Sequence, residues 1–307
     1  MIDDAYLKLL QRELVLEFNP SWIYYLQSKQ DFSNVRNQGL LIAFKRYLEV
    51  VNKEITEEYL NRLAGFANTA SAAQFRDFPE VAVGIVWTDD LNACALQVGD
   101  TEYGILLNHM PFIVMPALFR LTTDTFTSIG HRPGPFSNEA EFHAHIQHLS
   151  TFGCDSFEAS DASAVDRLTR ILSTPPSSSD LACATIAAEF IVLHEFSHIG
   201  LGHLELSTSR RTRLRMSPSG NSVDAISYSH EHEFDADEAA LDRLFAINEE
   251  RSSRLHDQRH GELLMCLVHL SVTLLFIALH IKESQGSRND RFSHPSSIQR
   301  MRRFHEK

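Results

Sequence analysis

Residues 189–198 read Glu-Phe-Ile-Val-Leu-His-Glu-Phe-Ser-His, and the interpretation of the whole chain starts from this stretch. Residues four apart lie on one face of a helix, so His194 and His198 can present their imidazoles to a single metal ion. Glu195 projects beside them, where it can polarise a metal-bound water. The surrounding residues are apolar, which predicts a buried helix from about residue 181 to 206. A His-Glu-His cluster buried in such a helix needs partners.

A catalytic zinc site usually has three protein ligands and a water, so a third ligand is expected. One candidate is His203, five residues after His198. The metzincin spacing would need Gly and His at the third and sixth positions after His198, where this chain has Leu201 and Leu204. That spacing therefore fails. The second candidate is an acidic residue further along the chain.

Residues 230–237 read His-Glu-His-Glu-Phe-Asp-Ala-Asp at the start of a predicted helix. Two pairs are four apart: Glu233 with Asp237, and Glu231 with Asp235. In either pair the first carboxylate could bind zinc, while the second could accept a hydrogen bond from a ligand histidine and fix its tautomer. Acidic residues at a helix N-terminus commonly interact with the helix dipole and bind no metal. Their occurrence some 30 residues after the HExxH motif favours a metal site.

Three motifs together resemble a known group of enzymes. His194–His203, Glu233–Asp237 and His294–Arg300 look like the gluzincin zinc metallopeptidases. The resemblance is to the Lit-type phage-exclusion peptidases and, more distantly, to the HtpX and CAAX-prenyl-protease type. It covers about residues 181 to 303. The order of strands, apolar helix and HExxH helix is more similar to the soluble Lit type.

The resemblance implies a role for each matching residue. It implies one Zn²⁺ bound by His194, His198 and Glu233, with Glu195 as the general base. Ala236, which directly precedes Asp237, matches the motif and favours Glu233 over Glu231 as the third ligand. Asp237 and His203 would then orient the ligand histidines. Candidates for stabilising the oxyanion or binding substrate are His294, Arg300, Tyr228 and His232.

Composition limits the class of partner. The chain has 307 residues, 43% of them apolar and 22% charged, which is ordinary for a globular protein. Its net charge of −12 disfavours nucleic acid as the main partner. A protein or peptide substrate is expected instead. The basic run Arg210–Arg215 is interpreted as a solvated loop, with docking of an acidic protein as the alternative.

Three features bear on cellular location. The four cysteines are far apart in sequence and form no Cys-x-x-Cys pair, which favours free thiols in a reducing compartment. The first residues lack the basic and apolar regions of a signal peptide. A cytoplasmic protein is therefore expected. The apolar stretch Leu263–Leu279 falls slightly short of the roughly 20 residues that span a bilayer, and it contains His269. A buried core helix is favoured over a membrane helix.

The remaining pattern predicts a mainly α fold with a small antiparallel β-meander (α+β) and a gluzincin-like zinc peptidase core. Apolar runs at 81–87, 93–98 and 103–107 are the predicted strands. Three regions are proposed within one compact domain: helical 1–76, strands and helices at 77–180, and the peptidase core at 181–307. The predicted activity is zinc-dependent endopeptidase cleavage of a cytoplasmic protein, with phage defence as a setting. The alternatives are a membrane-associated quality-control metallopeptidase and a non-catalytic zinc-stabilised regulatory module.

Overall fold

A computed structural model describes residues 35–54, 59, 61–66, 81–86, 93–97, 103–108, 110–128, 162–204, 210–215, 222–227, 229–255, 257–285 and 295–306. The described part of the chain is mostly helical. Its elements, in chain order, are α1 Val35–Glu54, β1 Val81–Val86, β2 Ala93–Gln97, β3 Tyr103–Asn108, α2 Met110–Ser128, α3 Ala162–Leu172, α4 Ser178–Gly200, β4 Arg210–Arg215, β5 Ser222–Ser227, α5 His230–Ser253, α6 Gln258–Gln285 and α7 Ser297–Glu306.

The first three strands form a mixed sheet, and the predicted antiparallel meander is wrong. Their order is β1-β3-β2, with β1 parallel to β3 and β2 antiparallel to it. β3 is buried at all six positions, on both faces of the sheet. A strand that is apolar on both faces is stabilised best in the centre, where each edge and each face is covered. That preference places β3 between the two strands that precede it in sequence.

Helix α4 is the central element of the core. It packs against α2, α5, α6 and the sheet strands β2 and β3. Ser177 caps its N-terminus in a capping box with Asp180, each side chain bonding the other residue's backbone N–H. The helix therefore begins at Ser178, close to the predicted residue 181. Because α4 is buried on nearly all sides, it needs no polar face, and its polar residues at 194–198 are buried with the rest.

The end of α4 is a Schellman turn. Gly202 has a φ of +73°, which a residue without a Cβ adopts without strain. The N–H of Gly202 donates to the Ile199 carbonyl at 3.0 Å, and that of His203 donates to the His198 carbonyl at 2.9 Å. The helix therefore stops at Gly200, earlier than the predicted residue 206. The turn also folds His203 back toward the last turn of the helix.

The basic segment after α4 is not the predicted loop. β4 and β5 pair as antiparallel strands, with Arg210 opposite Ser227 and Arg215 opposite Ser222. β5 packs beside β2. Ser229 then caps α5 by accepting a hydrogen bond from the His232 N–H.

Helix α6 contains the apolar stretch Leu263–Leu279, and it is only partly buried. Among the helices that the structure describes, two are long and apolar enough to cross a membrane: in α4 the apolar window is 89% buried, and in α6 it is 39% buried. Val268, Val272 and Leu275 face the core, whereas Leu263 is 64% exposed. The expectation of a buried core helix therefore holds for one face of α6. His269 is exposed and packs beside the ring of Phe245.

Candidate metal centre

The structure brings together two imidazoles and one carboxylate from different helices. His194 and His198 come from α4, and Glu233 comes from the first turn of α5. One donor atom of each lies within 4.8 Å of the others, and all three side chains are buried. The Nε2 atoms of the histidines are 3.1 Å apart. Glu233 lies 3.5 Å from His194 Nε2 and 3.7 Å from His198 Nε2 through its two carboxylate oxygens.

These separations match what a tetrahedral ion requires. Zinc binds imidazole nitrogen and carboxylate oxygen at about 2.0–2.2 Å, so adjacent donors at tetrahedral angles stand about 3.3–3.6 Å apart. The 3.1 Å spacing of the two imidazole nitrogens and the 3.5 and 3.7 Å approaches of the two Glu233 oxygens lie near that range. Two neutral imidazoles and a carboxylate also form the donor set that borderline metals such as zinc prefer. The residues present therefore fit a zinc ion.

The acidic helix presents only one of its two carboxylate pairs to the cluster. Glu233 and Asp237 are 2% and 5% exposed, whereas Glu231 and Asp235 are exposed to solvent. The two glutamates are two residues apart, about 200° around a helix, so only one of them can face α4. The structure places Glu233 in that position.

The other ring nitrogen of His194 lies against Asp237. Asp237 Oδ1 lies 2.8 Å from His194 Nδ1, which leaves Nε2 directed at the cluster. Burial lowers the pKa of His194, but the charge and hydrogen bonds of Asp237, together with Glu233, outweigh burial and raise this pKa to about 9. In the absence of a metal ion, His194 is therefore a cation between two carboxylates at neutral pH.

His198 is held in a different way. Its Nδ1 lies 2.9 Å from Nδ1 of His203, the residue that the Schellman turn folds back. Burial, followed by the nearby charge of His232, lowers the pKa of His203 to about 4, so this ring is neutral and its Nδ1 can accept a hydrogen bond from His198. His203 in turn stacks on His232, with ring centroids 4.2 Å apart. That stacking places His232, one of the oxyanion candidates, against His203.

Arg300, from α7, binds Asp237 with two guanidinium nitrogens. Its Nε donates to Asp237 Oδ2 at 2.7 Å and its Nη2 donates to Asp237 Oδ1 at 2.6 Å. Nη1 lies 4.0 Å from Glu233 Oε2. Burial raises the pKa of Asp237, but the charges of Arg300 and His194 outweigh it and lower this pKa. The sequence predicted Arg300 near the site but not this partner. The other oxyanion candidates, His294 and Tyr228, lie outside the described residues.

Glu195 lies next to His194 in sequence and reaches the small sheet. It is buried, and its Oε2 accepts a 2.8 Å hydrogen bond from the backbone N–H of Ala95 in β2. Cys94 lies beside this contact, and burial together with the charge of Glu195 raises the pKa of its thiol to about 12. The sequence did not indicate Ala95, because a backbone N–H does not depend on which side chain the residue carries. Only the order of the strands could have pointed to β2.

The comparisons with known proteins agree with this chemistry. Residues 179–307 match the family described as Peptidase U49, and this span contains all the site residues except Ala95. No curated protein and no solved structure matches the chain. The family match, over less than half of the chain, supports a peptidase, a hydrolase that cleaves peptide bonds.

Proposed function

We propose that the protein is a zinc-dependent endopeptidase that hydrolyses a peptide bond in a cytoplasmic protein. The observation that carries the proposal is the set of donor distances: 3.1, 3.5 and 3.7 Å among His194, His198 and Glu233. The resemblance to the gluzincin and Lit-type peptidases is the basis for proposing zinc as the metal and phage defence as the biological setting. The Peptidase U49 match supports the peptidase class.

In the proposed mechanism, His194, His198 and Glu233 would hold the zinc. When bound, zinc would supply Lewis acidity, lowering the pKa of a water and polarising the scissile carbonyl. Glu195 accepts a proton from the attacking water while the oxygen of that water bonds to the carbonyl carbon. The same carboxylic acid then delivers that proton to the amine as the carbon–nitrogen bond breaks. The Ala95 N–H fixes the carboxylate for both transfers.

Asp237 and Arg300 act on the ligands rather than on substrate in this proposal. The Arg300 guanidinium spans Asp237 and approaches Glu233. It thereby fixes the carboxylate that contacts His194, and partly offsets the negative charge gathered there.

The decisive variant is Glu195→Gln. A glutamine cannot serve as a proton acceptor, and Glu195 is not among the three donors, so the variant should retain one zinc per chain and lose proteolysis by about 10²–10⁴-fold. The measurement is zinc content by atomic emission, together with new protein N-termini formed in a cell extract. Glu231→Gln, an exposed change on α5, is the control and should behave as wild type. Wild-type protein that binds zinc but creates no new N-termini would favour the regulatory module.

The membrane-associated peptidase remains a second candidate because the apolar window of α6 is only 39% buried. Partitioning of the full chain after an alkaline carbonate wash distinguishes the cytoplasmic from the membrane-associated peptidase. The cytoplasmic proposal expects the protein in the supernatant. Recovery with the membrane pellet would favour the membrane-associated enzyme.

A further inference from the structure

Helix α7 contacts the rest of the protein through one face. Its three buried residues, Ser297, Arg300 and Phe304, are three and four positions apart, so they lie on one side of the helix. Ser297 meets Glu283 of α6, and Arg300 binds Asp237 of α5. The ring of Phe304 packs against aromatic rings of α5 and α6. Arg300 therefore lies in the middle of the face by which α7 is docked.

The N-terminus of α7 is bound by a carboxylate from another helix. Both oxygens of Glu283, in the last turn of α6, accept a hydrogen bond from the backbone N–H of Ser297, at 3.1 and 3.0 Å. The hydroxyl of Ser297 donates to the same carboxylate. A negative charge at a helix N-terminus also interacts favourably with the helix dipole. The contact therefore joins the end of α6 to the beginning of α7.

This carboxylate is not needed to begin the helix. Ser296 and Gln299 form a capping box of their own: the backbone N–H of Gln299 donates to the Ser296 hydroxyl at 3.3 Å, and the Gln299 side-chain oxygen accepts from the Ser296 N–H at 3.0 Å. Because Glu283 belongs to a different helix, its contact fixes where α7 lies against α6. It does not decide whether residues 297–306 are helical.

Arg300 connects this anchor to the candidate metal centre. It follows Ser297 by three residues, about 4.5 Å along the helix axis. Its guanidinium donates to both oxygens of Asp237 at 2.7 and 2.6 Å, and Asp237 lies 2.8 Å from Nδ1 of His194. A bidentate contact of this kind depends on the geometry of both partners. A displacement of the α7 N-terminus would therefore disturb the side chain that orients a proposed ligand.

We propose that Glu283 is a positioning residue for the metal centre: it anchors the N-terminus of α7, holds Arg300 on Asp237 and so strengthens zinc binding. This inference rests on the proposed function, because it concerns the same metal centre. Loss of a side chain that contacts a ligand histidine lowers metal affinity by about 10–100-fold, and Glu283 acts from further away, so we expect an effect of about three- to tenfold.

Zinc affinity, measured by competition with a chelator, tests the inference directly. Glu283→Ala removes the acceptor for the Ser297 N–H and should bind zinc about three- to tenfold more weakly. Glu283→Gln keeps an acceptor oxygen and should stay close to wild type. The matched control is Glu262→Ala near the start of α6, which removes an exposed carboxylate that also accepts a hydrogen bond, from Gln258. The control changes the net charge equally and should leave zinc affinity unchanged.

Two results of this comparison overturn the inference. The first is wild-type zinc affinity in Glu283→Ala. The second is a loss in Glu283→Gln or in Glu262→Ala that equals the loss in Glu283→Ala, because charge rather than the anchor would then be responsible.

A second comparison distinguishes positioning from a general loss of stability. If Glu283 acts through Arg300, Glu283→Ala should not weaken zinc binding further in an Arg300→Met protein. Its effect on the free energy of unfolding of the metal-free protein should persist there, because the contact with Ser297 is still present to be lost. A further loss of zinc affinity of about three- to tenfold in the Arg300→Met background overturns the inference.

Proteolysis separates this inference from the proposed function. If the wild type binds zinc and Glu283→Ala weakens that binding, but no protein is cleaved, the peptidase proposal fails and the positioning role stands. If the wild type cleaves proteins and Glu283→Ala keeps full zinc affinity, the positioning role fails and the peptidase proposal stands.

Discussion

The backbone N–H of Ala95 donates a 2.8 Å hydrogen bond to Oε2 of Glu195, joining β2 to the helix that carries both histidines. The two residues are one hundred positions apart in the sequence. The bond orients the proposed base from outside its own helix. The sheet therefore contributes to the metal centre directly, as well as covering α4.

Removing this amide should impair the base without disturbing the ligands. Ala95→Pro deletes the N–H at an edge strand, where proline is tolerated best. We expect proteolysis to fall by about tenfold or more while zinc content stays at one per chain. Ala95→Ser, which retains the amide, is the control. Activity in the proline variant equal to that in the serine variant would show that the bond does not position Glu195.

The acidic helix offers a direct comparison of carboxylates. Glu233→Ala should remove most of the zinc affinity, because a ligand is lost. Asp237→Ala should lower this affinity by about 10–100-fold, because only the orientation of His194 is affected. Glu231→Ala should stay near wild type in zinc titrations. If the effects of the two glutamates were reversed, the assignment of the third ligand would be wrong.

Arg300 should matter for stability even without metal. Arg300→Met leaves the buried Asp237 carboxylate without its strongest partner, a change that typically costs about 3–5 kcal/mol in the free energy of unfolding. Combining it with Asp237→Asn removes the carboxylate that Arg300 binds, so the double variant should be less destabilised than the sum of the two single variants. Urea unfolding of the metal-free protein provides the values. If the effects of the two single variants on the free energy of unfolding simply added in the double variant, the coupling between Arg300 and Asp237 would be ruled out.

Zinc binding should be linked to one proton near neutral pH. In the metal-free protein the pKa of His194 is raised to about 9, so this histidine is protonated at pH 7 and must release its proton to bind zinc. Apparent affinity should therefore rise about tenfold per pH unit from pH 7 to 9 and level off above it. Calorimetry in buffers of different ionisation enthalpy measures the released proton. Release of no proton at pH 7 would contradict the charged His194.

The same pKa has a consequence for the metal-free fold. Because the folded pKa of His194 lies above the ordinary value of 6.5, its contribution to stability is fully present below pH 6.5 and is lost as pH rises toward 9. The contribution of His203 to stability depends on pH in the opposite direction. Its pKa is lowered to about 4, so stability falls as pH decreases from 6.5 through 4.

Local sequence patterns predicted the helices because their signals are local. The apolar stretches that form α4 and α6, and the acidic start of α5, can each be recognised within a few residues. The strands were also located closely, but their order was not, since pairing depends on which strand is buried on both faces. The segment Arg210–Arg215 was interpreted as a loop because its charge hides the alternation that pairs it with β5.

The same distinction between local patterns and tertiary packing applies to the site. The spacing of His194, His198 and Glu233 gave candidates whose donor atoms the structure brings together. Burial then distinguishes Glu233 from Glu231, and burial depends on how α5 packs against α4. The partner of Arg300 depends likewise on tertiary packing, because Asp237 is 63 residues away in sequence.

The contact between Arg300 and Asp237 also affects when a newly synthesised chain could become active. The ribosome adds Arg300 more than one hundred residues after His194 and Glu195. At about 5–20 residues per second, translation needs about 5–20 s to cover that interval. During this time the nascent chain already carries the HExxH helix but lacks the guanidinium that secures Asp237. In the proposed enzyme, this order of synthesis would delay proteolytic competence until Arg300 has been added.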